Sequence, residues 1–319
     1  MILILSTPRD FDTQEVIDWL EDKKGQYFRL NDEDLMTGEV AFNHNPIQPE
    51  ESYLCHNNQK LYIKDFKVIW FRKFGFLNLY EENFGKSNEL VKYLYAEFSI
   101  IRGVLLDLLK KKEWLFNKEN MPSKLKVLEI ANKCNLNIPD TIITTQKKNL
   151  ELFFNRNNQS IISKSLSEGK NLVFENHVFP IFTQKIDTID KIQNKFSPSL
   201  FQKYIEKIYE LRIFYINGEF FSMVIFSQNN PKTKTDFRNY DLENPNRTEP
   251  YNLPKELELK LDKLMKTVGL NTGSIDMVRG TDNNYYFLEV NPSGQFGMTG
   301  LPCNYPLYEK IADYLIEKN

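Results

Sequence analysis

The chain has 319 residues, 41 % hydrophobic, 13 % aromatic and 26 % charged, which is enough apolar material for two or three domains and too much for a disordered chain. Forty-one Lys and Arg against 43 Asp and Glu give a net charge of −2, so no overall positive field draws it to nucleic acid or to an anionic membrane. Three widely separated cysteines, Cys55, Cys134 and Cys303, form no CxxC or Cys/His ligand spacing, which argues against a disulfide framework or a zinc site and fits a reducing cytoplasm. No stretch approaches the roughly 18 apolar residues of a membrane span.

Ile2 to Leu5 is a wholly apolar run closed by Ser6, Thr7 and Pro8, the pattern of a strand buried on both faces. Phe11 to Lys23 places Val16, Ile17, Trp19 and Leu20 at near-helical spacing and stops before Gly25, so the chain can return for a strand at Gln26 to Leu30 in βαβ fashion. Leu61 to Phe66 and Val68 to Lys73 read as further strands. Ser87 to Lys112 reads as a long amphipathic helix with Leu90, Tyr93, Leu94, Phe98, Ile101, Leu105 and Leu108 on its apolar side. A helix over Lys124 to Cys134, a Pro-marked turn at NIPDT and a β-rich stretch from Ile161 to Lys185 follow. Leu200 to Ile205, Leu211 to Ile216 and Glu219 to Phe226 read as strands, Ser227 to Leu253 as a long polar connection, and Pro254 to Val268 as a helix. Three domains are expected, over residues 1–115, 116–190 and 191–319.

Gly273 to Gly294, GSIDMVRGTDNNYYFLEVNPSG, has two apolar strands around a polar turn and reads as a hairpin. A two-residue turn at Asp282 and Asn283 sets Asp276 opposite Glu289, with Asn291 on the same face. Facing carboxylates repel unless a cation compensates them, and Asp, Glu and Asn oxygens on one face suit a hard divalent ion such as Mg²⁺. The plainer alternative is a solvated strand face neutralised by lysines, but the strand around Glu289 is otherwise apolar.

Magnesium on protein carboxylates usually accompanies a polyphosphate, which directs attention to lysines in ordered elements. Lys164 interrupts the run SIISKSL, and Lys124 opens a helix. In FQKYIEKIYELRIF, apolar residues interleave with Gln202 and Lys203, and Glu210 and Arg212 share a face by strand parity. A strand edge of that kind can hydrogen-bond an adenine, and a nearby carboxylate can take ribose hydroxyls. No GxxxxGK[ST] or GxGxxG occurs, which excludes an ordinary P-loop and gives no support to a Rossmann dinucleotide site.

These fragments, KLKVLEIANKCNLNIPDTIITT, ISKSLSEG, FQKYI with the following ELR, and D…LEVNPSG, resemble in order and spacing the successive nucleotide and metal elements of the ATP-grasp superfamily. With the Trp70-Phe71-Arg72-Lys73 strand, TKTDFRNYD and the ending NPSGQFGMTGLPCNYPLYEKIADYLI, the chain is more narrowly similar to the graspetide synthetases, the maturases of microviridin-like peptides, and to their grasp-with-spasm branch. It departs from the superfamily in having one glycine in SLSEGKN and Gln202 where many relatives place Glu.

The resemblance implies an α/β (α+β) ATP-grasp fold: an N-terminal pre-ATP-grasp α/β domain, a central lid domain and a C-terminal antiparallel-sheet domain. It implies a cytoplasmic, ATP- and Mg²⁺-dependent ligase that phosphorylates Asp or Glu side chains of a ribosomal precursor peptide, built of a leader and a Thr/Ser/Lys and Glu/Asp core. A hydroxyl or amine of the same peptide then closes an ω-ester or ω-amide ring. Lys124 and Lys164 would hold the α- and β-phosphates, Gln202, Lys203, Tyr204 and Ile205 would line the adenine, and Glu210 would take the ribose. Asp276, Glu289 and Asn291 would bind Mg²⁺, Arg212 would stabilise the transferring phosphoryl group, Arg238 would grip the substrate carboxylate, and Asp236 would be the general base. A homodimer is in keeping with the resemblance. Two alternatives stand beside it: an ATP-grasp ligase acting on a free amino acid or small peptide, and a non-catalytic nucleotide-binding regulator.

Overall fold

The computed structural model describes residues 1–75, 89–116, 122–166, 172–174, 177–179, 182–239 and 241–319. The start of the expected long helix at Ser87, the glycine-bearing turn at Glu168 and Gly169, and Tyr240 lie outside them. The chain separates into two compact units. One comprises Met1–Asn120 with Pro292–Gly300 and Asn304–Asn319; the other comprises Met121–Asn291 with Leu301–Cys303.

In the first unit the chain runs β1 (Ile2–Ser6), α1 (Phe11–Asp22), β2 (Tyr27–Asn31), α2 (Asp32–Thr37), β3 (Ala41–Asn43), β4 (Tyr53–His56), β5 (Gln59–Tyr62), β6 (Val68–Phe71), α3 (Glu89–Leu109) and β7 (Glu113–Leu115). The strands β2-β1-β6-β7 form a parallel sheet, and β3-β4-β5 a small antiparallel one. Every residue of β1 is buried, as an uninterrupted apolar run between two parallel neighbours requires. The strand expected over Leu61 to Phe66 is shorter than the sequence suggests: β5 ends at Tyr62, and Ile63–Asp65 turn as a 3₁₀ segment. That turn buries both Ile63 and Phe66, which a straight strand would send to different neighbours.

Helix α3 is apolar on more than one side, and the structure buries only part of the expected stripe, Phe98 and Leu105, together with residues beside it. Val91, Phe98, Leu105, Leu106 and Leu109 are inside, while Leu90, Tyr93 and Ile101 are exposed. Hydrophobic spacing alone could not choose between two adjacent apolar stripes.

The second unit contains α4 (Lys124–Lys133), β8 (Thr141–Gln146), α5 (Lys147–Arg156), β9 (Ile161–Lys164), β10 (Leu172–Phe174), β11 (His177–Phe179), β12 (Gln184–Ile186), β13 (Lys195–Lys203), β14 (Lys207–Ile216), β15 (Glu219–Phe226), β16 (Arg247–Tyr251), α6 (Lys255–Thr267), β17 (Thr272–Gly280) and β18 (Tyr285–Asn291). The strands β12-β9-β13-β8 make one antiparallel sheet and β16-β15-β14-β17-β18 another. Helix α5 packs Leu150, Phe153 and Phe154 against Ile161 and Phe201. Its i, i+3, i+4 apolar spacing is a helical signal that the sequence analysis passed over. The polar connection after Ser227 is not structureless, because β16 pairs along β15. Pro250 is tolerated there since β16 is an edge strand, where a missing donor interrupts no ladder. Helices α7 (Gly297–Cys303) and α8 (Leu307–Glu317) end the chain. Among the described residues no helix is long and apolar enough to cross a membrane.

Candidate active site

The hairpin β17–β18 brings Asp276 opposite Glu289, as expected, but by a different route. Its loop is one residue longer than a two-residue turn: the Gly280 N–H donates to Asn284 O, the Asn283 N–H donates to Gly280 O, and Asn283 takes a left-handed φ of 65°. Met277 therefore pairs with Phe287, and the ladder slips by one residue at Leu288 before Asp276 meets Glu289. This bulge restores the parity that the longer loop removed and turns Leu288 toward the same cleft as Glu289. Asn291 follows, half-buried and opposite Ser274, and is not among the residues that line the cleft.

Each carboxylate of the pair has its own cation. Arg212, across the ladder from Asp276 on β14, donates from Nη1 to both Asp276 oxygens at 2.7 Å. Lys124, the first residue of α4, donates from Nζ to Glu289 Oε2 at 3.1 Å. Burial raises the Asp276 pKa, with Arg212 opposing and Glu289 reinforcing the rise. Burial acts on Glu289 in the same sense, but Lys124 and Lys164 prevail and hold its carboxyl below the usual range. Lys164, the last residue of β9, has its pKa lowered by burial, an effect Glu289 counters.

A second slip in register shapes the neighbouring strand. On β14, Lys207 pairs with Gly280 and Tyr209 with Arg279, so Ile208 is the extra residue and is exposed. The bulge lets Lys207 and Glu210, three apart in sequence, both face the cleft, which strict alternation forbids. Lys207 Nζ lies 3.0 Å from Glu210 Oε1, and Ser227 Oγ donates to the same oxygen at 2.7 Å. Burial raises the Glu210 pKa against the pull of Lys207. Lys207 is not legible in the sequence because the bulge at Ile208 leaves no mark in period-two alternation, and Ser227 because it lies in the connection after β15.

Gln202 on β13 is 1 % exposed, and its Nε2 donates to Thr141 Oγ1 at 2.9 Å, while its Oε1 has no partner among the described residues. The Lys203 and Tyr204 amides donate to Asp140 O at 2.8 Å and Ser160 O at 3.0 Å, so these two N–H groups are already used within the protein. Gln202, Lys203, Tyr204 and Ile205 nevertheless line the same cleft as Lys164, Glu210, Asp276 and Glu289, around about 760 Å³ of space open to solvent.

The polar connection delivers Asp236 and Arg238 to this cleft. Arg238 donates from Nε and Nη2 to Asp236 at 2.9 and 2.7 Å, and the Thr183 N–H donates to Asp236 Oδ2 at 3.2 Å. Burial would raise the Asp236 pKa, but the bonds from Arg238 hold it at about 2. Arg238 Nη1 also stands 3.9 Å from Glu289 Oε1. The connection itself is pinned by Asn230 Nδ2 on Asp241 Oδ2 at 2.8 Å and by Thr233 Oγ1 on Asn246 Oδ1 at 2.8 Å.

The RimK-like ATP-grasp domain matches residues 121–315, a span that holds every one of these side chains. The chain belongs to the RimK-like ATP-grasp family. As an ATP-grasp protein it is similar over its full length to macrocyclase MdnC from Microcystis aeruginosa MRC, solved with precursor peptide MdnA: 26 % identity, TM-score 0.84, 100 % of each chain covered. A RiPP-associated ATP-grasp ligase of Chryseobacterium gregarium, solved with ADP and a leader and core peptide, shares the fold at 23 % identity and TM-score 0.84, over 100 % of this chain and 97 % of that one. ATP-grasp ligase PsnB, solved with a minimal precursor, Mg and ADP, shares it at 17 % identity and TM-score 0.79, over 99 % and 96 %. No curated protein sequence matches the chain.

The ATP-grasp cleft suits a magnesium-bound nucleotide on its own chemistry. Among the described residues, Gln202 Oε1, Arg212 Nε and Ser274 Oγ are buried polar atoms without partners, and such groups are costly unless something meets them. Among the described residues no cluster of three or more His, Cys, Asp or Glu gathers. A divalent ion here would rest on two carboxylates and Asn291, with phosphate oxygens and water completing an octahedral shell.

Proposed function

We propose that this chain is an ATP-dependent peptide macrocyclase. It would phosphorylate Asp or Glu side chains of a ribosomal precursor and close ω-ester or ω-amide rings. The reading is supported by one observation: Lys164 and the carboxylates Asp276 and Glu289, which Arg212 and Lys124 neutralise, line the same cleft as Asp236 and Arg238 of the loop. The whole-length likeness to MdnC, whose structure holds a precursor peptide, supports it.

In the proposed reaction the substrate carboxylate oxygen attacks the γ-phosphorus of ATP, ADP departs, and an acyl phosphate forms. A Ser or Thr hydroxyl, or a Lys amine, of the same peptide then attacks the acyl carbon; its proton is lost and inorganic phosphate leaves. Lys124 and Lys164 hold the α- and β-phosphates, releasing Glu289 from its ion pair with Lys124. Gln202 to Ile205 frame the adenine and Glu210 accepts ribose hydroxyls. Arg212, a planar donor already aimed at the carboxylate pair, stabilises the charge that grows on the transferring phosphoryl group. Arg238, whose side chain is 45 % exposed, grips the substrate carboxylate. Asp236 is proposed to receive the proton of the attacking group. In the ion-paired form its carboxylate is a weak base, so the role requires Arg238 to turn toward substrate and loosen its hold. Mg²⁺ on Asp276, Glu289 and Asn291 would neutralise the β- and γ-phosphates.

A peptide is favoured over a free amino acid by the full-length likeness to MdnC, whose structure holds a precursor peptide. The unpaired cysteines agree with a cytoplasmic setting. The exposed apolar residues Leu90, Tyr93, Ile100 and Ile101 on α3 favour a homodimer through the first unit. The separate sheet β12-β9-β13-β8 favours a lid domain distinct from the C-terminal sheet.

The test is mass spectrometry of a candidate precursor incubated with the chain, ATP and Mg²⁺. Loss of one water per ring, with matching release of ADP, is expected. ADP release with free amino acids and an unaltered peptide would replace this reading with the small-substrate ligase.

A further inference from the structure

Lys207 is 8 % exposed and makes two contacts that point in different directions. Its Nζ lies 3.0 Å from Glu210 Oε1 and donates to Thr235 O at 3.2 Å, the carbonyl immediately before Asp236. The other end of this loop is tied to the same carboxylate oxygen, since Ser227 Oγ donates to Glu210 Oε1 at 2.7 Å. Ser227 O in turn accepts from Thr233 Oγ1 at 3.3 Å, and both Ser227 and Thr233 are fully buried. Residues 227–235 therefore close on themselves through one oxygen of Glu210 and one lysine.

We propose that Lys207 is a positioning residue that couples the nucleotide end of the cleft to the loop carrying Asp236 and Arg238. The inference rests on the reading above, in which Glu210 takes the ribose. Among the described residues both protein donors to Glu210 go to Oε1, which leaves Oε2 for ribose hydroxyls. A ribose on Oε2 fixes the carboxylate, Lys207 follows it, and Thr235 is held where it presents Asp236 and Arg238 to the acyl phosphate. A lysine serving only to neutralise Glu210 would need no carbonyl on the loop. Burying an ammonium with two acceptors of fixed geometry restricts it to one position, which is what coupling requires. The consequence is an order of events: nucleotide first, then a loop competent to align the peptide.

The loop supplies its own reporter, because Lys232 and Lys234 are exposed and open to trypsin. In the wild type, ADP with Mg²⁺ should slow cleavage at these lysines. In Lys207→Met that protection should disappear, kcat for ring closure should fall about 100-fold as for a misplaced catalytic group, and KM for ATP should stay within about threefold. Lys207→Arg, which can span the same two acceptors, should recover protection. Ser227→Ala cuts the other tie and should weaken protection in the same direction, so it carries the test if Lys207→Met does not fold. Intact ADP protection in Lys207→Met, or equal losses in kcat and ATP affinity, would overturn the proposal. Failure of the wild type to bind ADP would overturn it together with the cleft reading. Binding of ADP without ring closure would remove the macrocyclase reading alone, and the protection experiment would still decide the coupling.

Discussion

Asp276 and Glu289 face each other across the β17–β18 ladder, and each is neutralised from a different element, Asp276 by Arg212 of β14 and Glu289 by Lys124 of α4. Two carboxylates so placed store repulsion that four-cation surroundings, with Lys164 and Arg238 added, convert into a site with a small positive excess. Because the two cations come from different elements, they are separable by mutation.

Removing Arg212 strands a buried charge. Arg212→Met should destabilise the chain by about 3–5 kcal/mol, because Asp276, 7 % exposed, loses its bidentate partner. The double variant Arg212→Met with Asp276→Asn should regain most of that loss, since the residual group is neutral. Urea unfolding of the three proteins measures it, and equal instability of the single and double variants would show that Arg212 supports the fold by packing instead.

Glu289 asks for a milder outcome. Its carboxylate is surrounded by Lys124, Lys164 and Arg238, so Glu289→Gln removes a favourable partner of those cations and should lower the melting temperature modestly while leaving the fold intact. ATP turnover should nevertheless drop by about 10²–10³-fold through lost charge stabilisation. Wild-type turnover by Glu289→Gln would remove this residue from the phosphate and metal site.

Much of this site is legible in the sequence, and what is not has an identifiable cause. The facing of Asp276 and Glu289 follows from strand parity, yet the loop is a residue longer than parity assumes and the bulge at Leu288 compensates. Without the second irregularity the first would have sent Glu289 to the other face. At Ile208 a bulge has no partner error to cancel, and there the alternation rule hid Lys207 from a reading that found Glu210 and Arg212. The buried run of β1 and the helices α1, α4 and α6 are readable because apolar spacing and burial agree in them, with a Ser123 cap added at α4. Helix α3 was not, because two adjacent apolar stripes satisfy the same spacing and only the packed partner selects between them.

Arg238 is held at the mouth of the cleft by Asp236 and is 45 % exposed, and its guanidinium can be removed while buried Asp236 keeps its bonds from the Thr183 and Arg238 backbone N–H groups. Arg238→Ala should lower peptide modification by about 100-fold while changing ADP affinity little, since its proposed role lies with the substrate carboxylate. Calorimetry with ADP set beside mass spectrometry of the peptide separates the two. Equal losses would place Arg238 on the nucleotide and deny it a substrate role.

In the first unit Arg72 is buried between Asp10, 3.1 Å from its Nε, and Asp12, 3.2 Å from Nη2, and Lys73 approaches Asp10 at 2.7 Å. Burial alone would raise the Asp10 pKa, but Arg72, Lys73 and Thr13 lower it from 3.8 to about 2. A carboxylate whose folded pKa lies below its unfolded value adds stability that is complete above the unfolded value and disappears as pH falls through the folded one. Asp10 should therefore contribute about 2 kcal/mol at pH 6 and almost nothing at pH 2, with the loss spread between about pH 4 and pH 2. Asp10→Asn should be less stable than the wild type at pH 6 and converge with it near pH 2, as urea unfolding across that range will show; parallel curves would deny Asp10 the contribution. Arg72 Nη1 also donates to Ser293 O and Gly294 O at 3.2 Å, two and three residues after Asn291 in the chain.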